Sequence, residues 1–469
     1  MNQKTFFAIL VGGAAFAAPL VFNPPGLGIL GSLSLSIFLI AAIFWILEPI
    51  PIYATSLGVI FLQSILLSDQ GLLVDFLSPS ELKPYQSYLS NLAHPIIMLF
   101  LGGFALASAA VKFQLDKSLT RILLKPFGEK PSNVCLGLMI STATLSAFMS
   151  NTATTAMMMT VVLPIAAGLS KEDPFRMGIA LAIPVAANIG GIATPIGTPP
   201  NAVALAALKE QGISLTFSTW MILAVPFVVI LLLIAWRALM ILFKPQTSRF
   251  EISLDTKFNK SPKAIAFYAV FGLTLTLWVT EKFHGIPTGM VALLPLTLLP
   301  ALSILERKEI RSFSWEVLWL VAGGISLGLS MKDTGLANWL VSQISWNGLS
   351  GVLLVITFGA VGYVLSNLIS NTVAITILMP LVLSVVSAST EETNQAMPAI
   401  VIAIAVIVSC AMLLPISTPP NAIAMSTGII NTKNLAKVGA IVGFAGIGLA
   451  ILFSQTYWAY LANLSPIIP

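Results

Sequence analysis

Thirteen long apolar runs, most of them near the roughly 20 residues needed to cross about 30 Å of hydrocarbon, limit what this chain can become more than any other feature. Bounded by Pro, Gly or charge, they fall at 5–22, 29–47, 52–68, 95–113, 134–169, 177–208, 221–243, 264–280, 290–305, 318–331, 352–388, 399–426 and 440–461. Of the 469 residues, 57% are hydrophobic and 9% charged, whereas a soluble domain carries about a quarter charged residues. An ordinary soluble enzyme, a disordered chain and a nucleic-acid binder are excluded, and an all-α polytopic membrane protein is expected. The first run, behind Lys4, holds an Ala15-Phe16-Ala17 stretch that resembles a signal cleavage site, but it is longer than a usual signal core and is read as a membrane helix. Cys135 and Cys410 lie in apolar runs with no disulfide or metal spacing and are read as packing residues.

Runs 134–169 and 352–388 are too long for one helix, and each is interrupted by Ser-Asn-Thr. Such a break is costly facing lipid and tolerable only inside protein or against a wet cavity, so both are read as re-entrant helical hairpins. With about 11 single crossings besides, 19 of the 23 Lys and Arg fall in one set of loops, among them Lys4, the 112–130 cluster, Lys257 and Arg307. Only Lys83, Lys209, Lys282 and Lys332 fall in the other. The positive-inside rule then puts the N-terminus in the cytoplasm and the C-terminus outside, in the cell (inner) membrane.

The most specific signal is internal. Leu145-Ser146 and Ser150-Asn151-Thr152 recur 220 positions later as Leu365-Ser366 and Ser370-Asn371-Thr372. Residues 195–204, which include Thr198-Pro199-Pro200-Asn201, recur at the same offset as 415–424 with eight of ten positions identical, and Gly102-Gly103 returns as Gly323-Gly324 one residue out of step. Motifs repeated in order at one offset imply a duplicated unit. The charge assignment runs 95–113 inward and 318–331 outward, so two inverted repeats are expected at 29–215 and 264–435. Residues 1–28 form a helix outside them, 216–263 a connecting helix and cytoplasmic loop, and 436–469 a C-terminal helix.

The hairpins and the broken helices 177–208 and 399–426 contain no Asp, Glu, His, Lys or Arg. A proton relay therefore lacks its carrier, and hydrolysis lacks a base beside any serine; no enzyme is expected. What remains is neutral: Ser146, Ser150, Asn151, Thr152, Thr198 and Asn201, with Ser366, Ser370, Asn371, Thr372, Thr418 and Asn421. With the carbonyls of a broken helix these groups suit a hard monovalent cation such as sodium, while helix N-termini exposed at the same breaks attract an anion. Two consecutive prolines should interrupt each Thr-Pro-Pro-Asn segment and free carbonyls before the break. Alone, Ser-Asn-Thr would be helix-packing glue and Pro-Pro a kink; their paired duplication favours two half-sites.

Ser-Asn-Thr at hairpin tips, each followed by Thr-Pro-Pro-Asn on a broken helix, resembles the divalent anion:sodium symporter family, from about residue 29 to the C-terminus. The resemblance implies a homodimeric elevator whose mobile part holds both hairpins, 177–208, 221–243, 399–426 and 440–461. It implies a first sodium site at Ser146, Ser150, Asn151 and Gly197, and a second at Ser366, Ile369, Asn371 and Ser417. Substrate carboxylates would meet Asn151, Thr152, Asn371 and Thr372, with Thr198, Thr418 and Pro419 close by. Ser417 stands where the first repeat has Gly197, and Ile369 where it has Met149. Sodium-coupled symport of a C4-dicarboxylate (succinate, malate or fumarate) is the expectation, with sodium as coupling ion and no other cofactor. A dicarboxylate exchanger or a sulfate or citrate carrier of the same family is the nearest alternative, and an anion channel the alternative of another class.

Overall fold

The computed structural model describes residues 3–76, 82–247, 249, 258–343 and 350–463. Lys257, counted among the cytoplasmic cations, and the last residues of the expected external terminus, 464–469, lie outside these. The described residues are almost entirely helical, as an apolar chain that must satisfy its own backbone requires, and hold one isolated β-bridge between Ser68 and Lys83.

Eight described helices are long and apolar enough to cross a membrane. Six coincide with expected single crossings: Gln3–Phe22, Ile29–Leu47, the last part of Tyr85–Lys112, Phe217–Leu242, Pro262–Val279 and Thr432–Tyr460; the other two, Pro131–Phe148 and Gly351–Leu368, are first arms of the expected hairpins. Of the remaining expected crossings, 318–331 lies within the continuous helix Trp315–Asp333 and the others are shorter or interrupted. Run 290–305 becomes Thr288–Val291 and Leu293–Ala301, and run 52–68 becomes Ile52–Leu66.

Both Ser-Asn-Thr breaks are two-residue turns between helices. Pro131–Phe148 passes through extended Met149 and Ser150 into Asn151–Ala167, and Gly351–Leu368 through extended Ile369 and Ser370 into Asn371–Ser387. The serine is an N-cap in both: Ser150 Oγ accepts from Ala153 N at 3.5 Å and Ser370 Oγ from Val373 N at 3.2 Å. Both expected breaks are present, each running up to its Pro-Pro pair. Helix Phe175–Gly191 ends before residues 192–198, and Pro199 opens Pro199–Glu210; likewise Met397–Ser409 ends before 410–418 and Pro419 opens Pro419–Ser426. A proline at the first helical position loses no hydrogen bond, so Pro-Pro starts the second half-helix rather than cutting the first.

The hairpins, the broken helices, Phe217–Leu242 and Thr432–Gln455 pack on one another, with the second arm of each hairpin against the second half of the opposite repeat's broken helix. Ile29–Leu47, Ile52–Leu66 and Trp315–Asp333 pack together, and Trp315–Asp333 also packs on Asn371–Ser387 and Pro199–Glu210; buried Gln63 locks the first group, its Nε2 donating to Ser326 O (3.1 Å) and Ser330 Oγ (2.8 Å). The Gly-Gly pairs sit where these groups meet. A Cβ on Gly102 or Gly323 would strike Ala292 (2.8 Å) or Ser56 (2.6 Å), while one on Gly103 or Gly324 would meet Ile196 (3.2 Å) or Thr376 (2.4 Å). The same two-faced helix therefore recurs, one glycine of each pair against Ile196 or Thr376 of the broken-helix and hairpin group and the other against Ala292 or Ser56. The cationic loop 114–132 contains the amphipathic helix Leu115–Leu124.

Candidate functional site

The first cluster forms where the first hairpin turn meets the first broken helix. Ser146, on the last turn of Pro131–Phe148 and fully buried, places Oγ 2.6 Å from Asn151 Oδ1 and 2.8 Å from Ala187 O. Three oxygens thus share one hydroxyl proton, a crowding that favours a small cation over another donor-poor group. Gly191 and Gly197 approach so closely that a Cβ on Gly191 would lie 2.7 Å from Asn151 Oδ1 and 3.0 Å from Gly197 O, and one on Gly197 would lie 2.4 Å from Gly191 O. Backbone must come this near, so both positions require glycine. Ser150 occupies its own cap bond, and Thr152 is exposed in the first turn of Asn151–Ala167.

The second cluster repeats the chemistry. Buried Ser366 Oγ lies 2.5 Å from Asn371 Oδ1 and 3.0 Å from Val408 O. Ile369 contributes backbone at the turn, where its N–H donates to Leu365 O at 2.8 Å, and Thr372 is half-buried beside it. Ser417 is buried and its Oγ donates to Leu414 O at 2.7 Å, so where the first cluster has bare backbone the second has a hydroxyl already engaged. Thr198 and Thr418 are buried N-caps of the second half-helices, and Pro419 is exposed next to Thr418.

The structure brings Ser146, Asn151 and Gly197 into one cluster and Ser366 with Asn371 into another. It ties Thr418 to the first repeat by a residue that the motifs did not single out, Asn188, whose Nδ2 donates to Thr418 Oγ1 (3.1 Å) and Asn421 Oδ1 (3.3 Å). Asn188 was legible in principle: it is the sole polar side chain of the run 177–193, and a buried amide in such a run demands a partner. The motif asparagines Asn201 and Asn421 are braces for the breaks. Asn201 Nδ2 donates to Gly191 O (3.0 Å), Ile192 O (3.2 Å) and Thr194 O (2.7 Å), and Asn421 Nδ2 to Met412 O (3.0 Å) and Leu414 O (3.1 Å). Each thereby satisfies carbonyls released by the end of its own first half-helix. Trp220, also missed, donates to Ile192 O at 3.1 Å. Hairpin and break are further tied by the Thr194 hydroxyl on Ala147 O in the first repeat and by Leu413 N on Asn367 Oδ1 (2.8 Å) in the second.

The runs 134–169, 177–208, 352–388 and 399–426 carry no Asp, Glu, His, Lys or Arg, and no metal-holding group of three or more His, Cys, Asp or Glu occurs among the described residues. The site offers carbonyl, amide and hydroxyl groups at interrupted helices within a polytopic bundle, the make-up of a secondary transporter's binding centre.

Comparison with known proteins agrees with that class. A family profile described as "Sodium:sulfate symporter transmembrane region" matches residues 2–464. The chain belongs to this family, the divalent anion:sodium symporters, and is a membrane transporter, not an enzyme. It is 32% identical over 500 residues to a protein named sodium-dependent dicarboxylate transporter SdcS from Staphylococcus saprophyticus, covering 96% of this chain and 91% of the relative. It is 30% identical over 491 residues to the protein of the same name from Staphylococcus aureus strain USA300, covering 95% and 89%.

Proposed function

We propose that this protein moves a C4-dicarboxylate such as succinate, malate or fumarate together with sodium across the cell (inner) membrane, with its N-terminus in the cytoplasm and its C-terminus outside. The observation that carries the reading is the pair of oxygen clusters around Ser146–Asn151 and Ser366–Asn371, each with more acceptors than protons. A sodium ion at each cluster supplies positive charge that no side chain of the clusters provides, and a dianion bound between them is neutralised by those ions and by the helix N-termini after Ser150 and Ser370. Asn151 and Asn371 serve both ligands, since an amide whose Oδ1 faces the cation presents Nδ2 to a carboxylate. The relatives' names support the same substrate class.

The re-entrant hairpins and inverted repeats let the site face each side in turn. The hairpins, broken helices, Phe217–Leu242 and Thr432–Gln455 are the mobile elevator part, and the Ile29–Leu47, Ile52–Leu66 and Trp315–Asp333 group belongs to the fixed scaffold of a homodimer. The test is radiolabelled succinate uptake into proteoliposomes under an inward sodium gradient against an equal potassium gradient. Sodium-driven accumulation is expected. Uptake indifferent to sodium removes the coupling, and exchange only with preloaded vesicles means an exchanger. Because the family description names sulfate, a size-graded competition series with sulfate, succinate and citrate decides the substrate; succinate should compete best.

A second prediction concerns pH. With no titratable carboxylate, imidazole or amine in the runs 134–169, 177–208, 352–388 and 399–426 that carry the two clusters, uptake at saturating sodium should track the fraction of dianionic substrate. A loss of rate at pH values where the substrate stays fully dianionic would require a protein proton carrier and count against the site.

A further inference from the structure

The two breaks are not equal. Asn421 turns its Nδ2 toward Met412 O and Leu414 O, so its Oδ1 is left facing Asn188, which must present its own NH2 group. That NH2 has a second hydrogen, and it goes to Thr418 Oγ1 at 3.1 Å. The same Oγ1 accepts from Asn421 N at 3.4 Å as the helix cap. Both lone pairs of the Thr418 hydroxyl are therefore used, and its proton is left to donate; among the described residues no acceptor takes it.

The first repeat has no such arrangement. Thr198 makes no capping bond with its side chain. Asn201, fully buried, donates to three carbonyls as Asn421 does to two, but its Oδ1 has no hydrogen-bond partner. Asn188 follows Ala187, whose carbonyl lies beside Ser146; Ser409 follows Val408, whose carbonyl lies beside Ser366. Ser409 is thus the structural mate of Asn188, and its hydroxyl donates to Ala405 O within its own helix at 2.9 Å. One residue, Asn in one repeat and Ser in the other, creates a one-sided bracket.

We propose that Asn188 is a positioning residue that holds the Thr418 hydroxyl as an outward donor to one carboxylate of the substrate, so that the second half-site grips the dianion by an oriented O–H that the first lacks. This deepens the reading of a sodium-coupled dicarboxylate carrier and rests on it.

The test is sodium-driven succinate uptake by the full-length protein in proteoliposomes. Asn188→Ala should raise the KM for succinate about 5- to 10-fold at saturating sodium, less than the loss of a whole hydrogen bond to a charged group because the Thr418 hydroxyl remains and only its orientation is freed, with Vmax and the half-saturating sodium concentration within about twofold of the parent. In a Thr418→Ala background the same substitution should raise KM no further, whereas in Thr418→Ser, which keeps the hydroxyl, it should still do so. Asn188→Leu fills a similar volume without a donor and serves if the alanine variant does not fold. An unchanged KM, an equal further rise in Thr418→Ala, or a fall confined to Vmax and protein yield overturns the assignment and leaves Asn188 a packing residue. If the parent itself shows no sodium-driven uptake, the functional reading falls, and this proposal with it.

Discussion

Asn151→Ala and Asn371→Ala are each expected to reduce sodium-driven succinate accumulation to about a hundredth of the parent's or less. Each asparagine is proposed to serve two ligands at once: its Oδ1 sits 2.6 or 2.5 Å from the serine hydroxyl of a crowded oxygen cluster, and its Nδ2 is then the donor left for a carboxylate. A hydrogen bond to a charged group contributes about 1.5–3 kcal/mol, and losing a cation ligand as well takes the combined effect past the roughly 2.7 kcal/mol that separates a hundredfold change. Folding should survive, because both residues lie in the first turn after a cap supplied by Ser150 or Ser370, and alanine is a good helix residue there. The measurement is uptake against a thermal melt of the purified variant. Parental transport by either variant would show that the site is misplaced; a lost melt would show a structural rather than a ligand role.

Gly197→Ala should lower sodium-dependent uptake at least tenfold, with the half-saturating sodium concentration rising. Its Cβ would sit 2.4 Å from Gly191 O and 2.9 Å from Gly191 Cα, so backbone must shift, and Gly191 lies directly against the Asn151 amide. An ångström of displacement at a cluster whose contacts are 2.6–2.8 Å is enough to abolish the proposed sodium site. Ser417→Ala, at the equivalent place in the second repeat, is the control. A side chain already fits there and its hydroxyl is satisfied by Leu414 O, so a loss of no more than about threefold is expected. Equal effects of the two substitutions would contradict the difference between the clusters.

Much of this was open to reading before any coordinates. Ser-Asn-Thr did mark two-residue turns, because a short polar interruption between long apolar runs has few other backbone solutions, and both serines did become caps. The repeated Gly-Gly pairs were visible as a repeat but not as a reason; only the packing shows one glycine of each pair against Ala292 or Ser56 and the other against Ile196 or Thr376. The interruption at each Pro-Pro and the carbonyls freed before it were legible, but not that it spans residues 192–198 and 410–418 with the prolines opening the second half-helix. Proline's missing N–H is harmless at a helix start, and the helices before it stop at Gly191 and Ser409 for want of continuing geometry, their carbonyls taken up by Asn201, Trp220 and Asn421.

Length and apolarity by themselves determined that this chain lies in a membrane as a helical bundle, since nothing else satisfies so many backbone groups with so little charge. The 220-residue offset determined that two related sets of neutral groups recur in the chain. Which of those groups touch was decided by the tertiary structure alone: the crossing of each hairpin's second arm onto the other repeat's broken helix, and the reach of Asn188 to Thr418 across 230 positions. Periodicity and spacing record local backbone preference, whereas a hydrogen bond between distant segments depends on how helices pack, and that is set by side-chain volumes summed over the whole bundle.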